Sequence, residues 1–147
     1  MDEQQLLGSP YKVEWNGREL RFGLLGQQAK ASFVAALKSF AIAQERERLN
    51  IEYPGEEHAK QRAAEEKEFR DDMRAGLYAW GGAQATRWWS SNVDGDVALM
   101  RALLEEGGTP LSDADARQFR VEQREKWAEI LTAILWDSES PKTKRPA

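Results

Sequence analysis

The sequence predicts a mainly α domain: an N-terminal β-hairpin followed by about four helices in a small bundle. Three observations predict it. Residues 11–22 alternate apolar and polar around Asn16-Gly17; longer stretches carry apolar residues at three- and four-residue spacing; and Pro54-Gly55, Gly81-Gly82 and Gly107-Gly108 punctuate them. With 147 residues, 41% hydrophobic and 31% charged, the chain has the size and composition of one domain that buries its own core. That globular domain is expected over residues 1–137, and a flexible basic tail over 138–147.

In the hairpin, Tyr11, Val13 and Trp15 alternate with polar residues, and Leu20 and Phe22 resume the alternation after the turn. Asn-Gly supplies the two positive-φ positions of a type I′ turn, whose twist matches that of the flanking strands. A lone two-stranded ribbon is marginal in water, so its apolar face must lie on helices or on another subunit.

A helix is expected over 27–49, where Ala29, Phe33, Leu37, Phe40 and Ala41 follow helical spacing and no Pro or Gly intervenes. It is read as the central core helix. A second, over 56–78, begins acidic and carries Phe69, Met73 and Leu77 on a narrow apolar face. Twelve of its first nineteen residues are charged, so the early part reads as a solvated face. Residues 76–92 hold Tyr78, Trp80, Trp88 and Trp89 around Gly81-Gly82, an aromatic elbow that should pin the two halves of the chain together. Trp88 or Trp89 is expected to be buried against Phe33, Phe40 or the Trp127 region. A helix over 95–106 follows capping oxygens at Asn92 to Asp96 and stops at Gly107-Gly108. The last, over 112–136, opens on Ser112-Asp113-Ala114-Asp115, a capping box with Asp in place of Glu.

The chemistry a chain of this composition can carry is narrow. With no cysteine there is no disulfide, thiol nucleophile or thiolate metal site. One histidine, His58, cannot furnish a triad or a two-histidine metal site and reads as exposed in a charged stretch. Asp94/Asp96 and Asp113/Asp115 sit where helix starts want anionic residues and lack an EF-hand ligand series. Glu65-Glu66 and Asp71-Asp72 read as solvated charge, because acid–base work needs one carboxyl of a pair desolvated. No glycine loop with a Walker lysine and no dinucleotide fingerprint is present, so no cofactor is expected. A net charge of -4 argues against general nucleic-acid affinity, and Arg87-Trp88-Trp89 reads as core before base-stacking platform. No run approaches the roughly 20 apolar residues of a membrane span, and the acidic N-terminus does not read as a signal peptide, so a cytoplasmic protein is expected.

Three segments give the chain a family likeness. They are the strand-turn-strand Val13-Glu-Trp-Asn-Gly-Arg-Glu-Leu-Arg-Phe22 leading into a helix, Gly76-Leu-Tyr-Ala-Trp80, and Asp94-Gly-Asp-Val-Ala-Leu-Met-Arg-Ala-Leu-Leu104 running to Thr109-Pro-Leu-Ser112 before a last helix. In this order they resemble the tail assembly chaperones of tailed bacteriophages, small morphogenesis proteins encoded near the tape measure. The resemblance implies a non-enzymatic role in the host cytoplasm, binding a tape-measure or tail-tube-like protein through apolar grooves, with no catalytic residue to carry over. A virion structural component, such as a connector or tail-tube-associated protein, is the alternative, and a small enzyme or regulatory protein the third reading. Contact with a protein partner, or self-association, is expected through the hairpin edge (Val13, Trp15, Phe22), the elbow (Trp80, Arg87, Trp88, Trp89) or the tail (Lys142, Lys144, Arg145).

Overall fold

A computed structural model describes residues 11–139. Strand β1 (Lys12–Trp15) pairs antiparallel with β2 (Arg18–Arg21), Val13 opposite Leu20 and Trp15 opposite Arg18. Asn16 and Gly17 take φ of 50° and 78°, the left-handed pair that a type I′ turn requires. The ribbon lies on helices. Its inner face buries Tyr11, Trp15, Leu20 and Phe22.

Six α-helices follow among the described residues: α1 (Gln27–Glu52), α2 (Ala59–Arg74), α3 (Ala83–Ser91), α4 (Val93–Glu106), α5 (Asp113–Glu122) and α6 (Arg124–Glu139), with a 3-10 turn at Glu56–His58 before α2. The architecture is mainly α with an N-terminal hairpin, as predicted. None of these helices is long and apolar enough to cross a membrane.

The centre of the core is α4, not α1. Val97, Leu99, Met100, Leu103 and Leu104 of α4 are almost fully enclosed, around most of the helix circumference, and α4 packs on α1, α3 and α5. Only a narrow face of α4, with Arg101 and Glu105, meets solvent, whereas α1 buries a single stripe of Ala29, Phe33, Leu37, Ala41 and Leu49. Side-chain caps fix the starts of α4 and α5. Asn92 Oδ1 accepts from the amides of Asp94 and Gly95, and Ser112 Oγ accepts from that of Asp115, as a capping box does.

Two expected elements divide differently. The elbow is irregular only across 75–82, where Gly76 and Gly81 take positive φ; from Ala83 the chain is free of Gly and Pro and closes into α3. The helix expected over 112–136 breaks at Gln123, which no Gly or Pro marks. On one side of the break Phe119 meets the Trp15 ring edge-on at 5.5 Å, and on the other Trp127 stacks on Phe22 at 5.5 Å. The break serves the hairpin: two helices, not one, form its bed.

The outer edge of β2 is closed at Arg21. Arg21 N–H donates to Thr109 Oγ1 (2.8 Å), the Thr109 hydroxyl donates to Arg21 O (3.0 Å), and Gly23 N–H donates to Leu103 O (2.8 Å). A side chain on Gly107 would overlap the Arg21 carbonyl, so glycine allows this approach. The β2 edge is therefore covered at its Arg21 end, where Thr109 meets it.

Candidate functional site

An open cleft of about 780 Å³ lies between α1, α2 and α3. Its apolar lining comes from Leu37, Phe40, Ala41 and Ile51 of α1, Phe69 of α2, Tyr78 of the 75–82 turn and Trp88 of α3.

Each wall is held for a local reason. Trp88 packs between Phe33 (5.4 Å) and Phe40 (5.0 Å), and Trp80 meets Phe33 edge-on at 5.3 Å, so the elbow locks α3 onto α1. Gly95 completes the lock from behind: any Cβ there would overlap the Trp88 carbonyl, so α4 can lie against α3 only with glycine at that position. The indole N–H of Trp88 is enclosed and has no hydrogen-bond partner among the described residues.

The α2 wall is built differently. No residue of α2 is fully buried, and Phe69 and Met73 are its partly buried contacts with the core. Polar contacts supply much of the rest. Arg46 pairs with Glu66 (3.3 Å), Arg48 reaches Glu65 (3.8 Å), and Arg62 Nη1 donates to the carbonyls of Tyr53 and Gly55. The Glu45 carboxyl is held below its ordinary pKa chiefly by its hydrogen bond to Arg48, and that of Glu66 by its bonds to Arg70 and Arg46. Burial pushes the Tyr78 hydroxyl up, helped by the Glu45 and Asp72 charges.

Two charges lining the cleft stand apart from this network. Arg87 on α3 and Glu47 on α1 are exposed and make no hydrogen bond or ion pair among the described residues.

Of the residues singled out from the sequence, Arg87 and Trp88 come together in this cleft. Trp80 and Trp89 are half-buried against the core beside it. Val13 is half-buried, while Trp15 and Phe22 are buried on α5 and α6, with Trp15 Nε1 donating to Glu122 Oε1 (2.9 Å). These three seat the hairpin; in this fold Trp15 and Phe22 have little surface to offer a partner, because the ribbon needs their burial to persist. Lys142, Lys144 and Arg145 lie outside the described residues.

Ile51, Phe69 and Tyr78 escaped the sequence reading as site residues. Ile51 is 72% exposed, and its signal was an apolar side chain following the charged run 45–48.

Three titratable groups singled out from the sequence have structural partners. His58 Nδ1 contacts the Pro54 carbonyl at 2.6 Å and so staples the turn before α2. Asp94 pairs with Arg117, and Asp96 accepts from both Arg120 (2.5 Å) and Trp127 Nε1 (3.0 Å), tying the start of α4 to α5 and α6. No group of three His, Asp or Glu side chains converges in a metal-ligand cluster among the described residues. No family model, curated protein or solved structure matches this chain.

Proposed function

We propose that this chain works by binding another protein, without turnover, as a tail-assembly-chaperone-like factor in phage tail morphogenesis. The observation that carries the reading is the open cleft, with an apolar floor from three helices and Ile51 left 72% exposed at its margin. An exposed isoleucine at the rim of a cleft whose apolar floor is edged by polar and charged side chains is a surface a partner can cover, apolar at the centre and polar around it. The family resemblance supplies the partner class, a tape-measure or tail-tube-like protein, and the place of action, the host cytoplasm.

A structural role in the particle is the second reading. Trp136 on α6 is 50% exposed and Val121 on α5 is 72% exposed, apolar surface outside the cleft of the kind a subunit with more than one neighbour needs.

Co-expression with the tape-measure and tail-tube proteins of the same phage tests both. The chaperone reading expects co-purification with the tape measure that Ile51→Asp abolishes, and absence of the chain from finished particles. Its presence in purified particles favours the structural role, and no association with either protein overturns the pair.

A further inference from the structure

An extended guest and a helical guest place different demands on the cleft. Its principal walls are α1, α2 and α3, whose backbone groups are bonded within their own helices. An extended segment would lay its own unpaired amides on Phe40, Phe69 and Trp88, with no strand edge in the cleft to receive them. A helix satisfies its backbone internally and presents only side chains. Size agrees with this: an amphipathic helix offers about three or four apolar side chains in two turns, a group suited to a concavity of about 780 Å³.

The charges decide what flanks the apolar stripe. Glu45 and Arg48 line the cleft but are bonded to each other, and Arg48 also pairs with Glu52 (2.6 Å). Arg87 on the α3 side and Glu47 on the α1 side have no such partner among the described residues. On the reading that this cleft binds protein, we propose that its guest is an amphipathic α-helix carrying an acidic residue that pairs with Arg87 along one flank, and a basic residue toward Glu47 along the other. Reversing a helix in a groove exchanges its flanks, so opposed charges fix its direction where an apolar stripe alone would not.

The test uses two fluorescein-labelled synthetic helices with the same leucine stripe and glutamine flanks, one with Glu and the other with Lys introduced along a single flank. Binding is read by anisotropy at low salt. Arg87 is exposed and unpaired, so Arg87→Glu should fold normally, checked by circular dichroism. The Glu-flanked peptide should lose roughly five- to tenfold in affinity on Arg87→Glu while the Lys-flanked peptide gains, and Ile51→Asp should weaken both at least tenfold. Equal response of the two peptides to Arg87→Glu overturns the charge assignment. If neither peptide binds while Ile51→Asp still abolishes tape-measure capture, the helical guest is overturned and the protein-binding reading stands; if capture is also insensitive to Ile51→Asp, both fall. Loss of a concentration-dependent dimer in Ile51→Asp would make the guest a second copy and likewise overturn the proposal.

Discussion

Trp88 and Gly95 show at single residues how the cleft is held. The Trp88 ring is packed between two phenylalanines, yet its N–H has no partner among the described residues, so its contribution is area and contact. Trp88→Ala should therefore cost about 3–5 kcal/mol in urea unfolding. Trp88→Phe removes no hydrogen bond and should cost only about 1–2 kcal/mol. A Phe variant as damaging as Ala would show that the indole N–H is bonded after all. Gly95→Ala adds one methyl, but it meets backbone that cannot rotate away, and about 2 kcal/mol or more of destabilisation is expected from the same measurement. Wild-type stability in that variant would mean that α3 and α4 do not cross this closely. The burial of Trp88 was readable from its place among aromatics beside a glycine pair. The role of Gly95 was not: in sequence it stands between two capping aspartates, and its need for zero side chain arises only from the crossing of two helices.

Among the elements, those specified by neighbouring residues were the ones that could be read. The hairpin follows from Asn16-Gly17 and strict alternation, and the caps from Asn92 and Ser112, because each interaction closes within a few residues. The break at Gln123 and the closure of the β2 edge by Thr109 depend on partners about ninety or more residues away in the chain, and neither leaves a local mark. The α2 wall belongs to this scale too. Glu66, bonded to Arg70 on α2 and to Arg46 on α1, has a folded-state pKa below the ordinary one, so it protonates more readily when the network is broken. Its stabilising contribution is thus complete above the ordinary carboxylate pKa and fades as pH falls through the lowered folded value. In an NMR titration from pH 7 to 3, amide shifts of residues 59–74 should begin to move toward coil positions before those of α4, whose burial is apolar. Loss of α2 and α4 in a single step would show that the ion pairs do not set the strength of that wall.

At the scale of the whole molecule, two aromatic groups divide the labour. Trp15, Phe22, Phe119 and Trp127 fasten the hairpin to the C-terminal helices, and Phe33, Phe40, Trp80 and Trp88 fasten the elbow to α1. The first group is closed within the fold. The second opens to the cleft through Phe40 and Trp88. The sequence marked Arg87 and Trp88 as candidates for contact but could not separate them from the hairpin tryptophan and phenylalanine, since a partner surface and a core draw on the same side chains. Ile51, Phe69 and Tyr78 place Trp88 at the wall of an open cleft, whereas Trp15 and Phe22 are enclosed beneath the hairpin. Hydrogen–deuterium exchange on the chain alone and on the chain co-purified with the proposed tape-measure partner tests the cleft most directly. Slowed exchange is expected in 37–51 and 84–92, with the hairpin at 11–22 unchanged; protection confined to the hairpin, or none in the cleft segments, would contradict it.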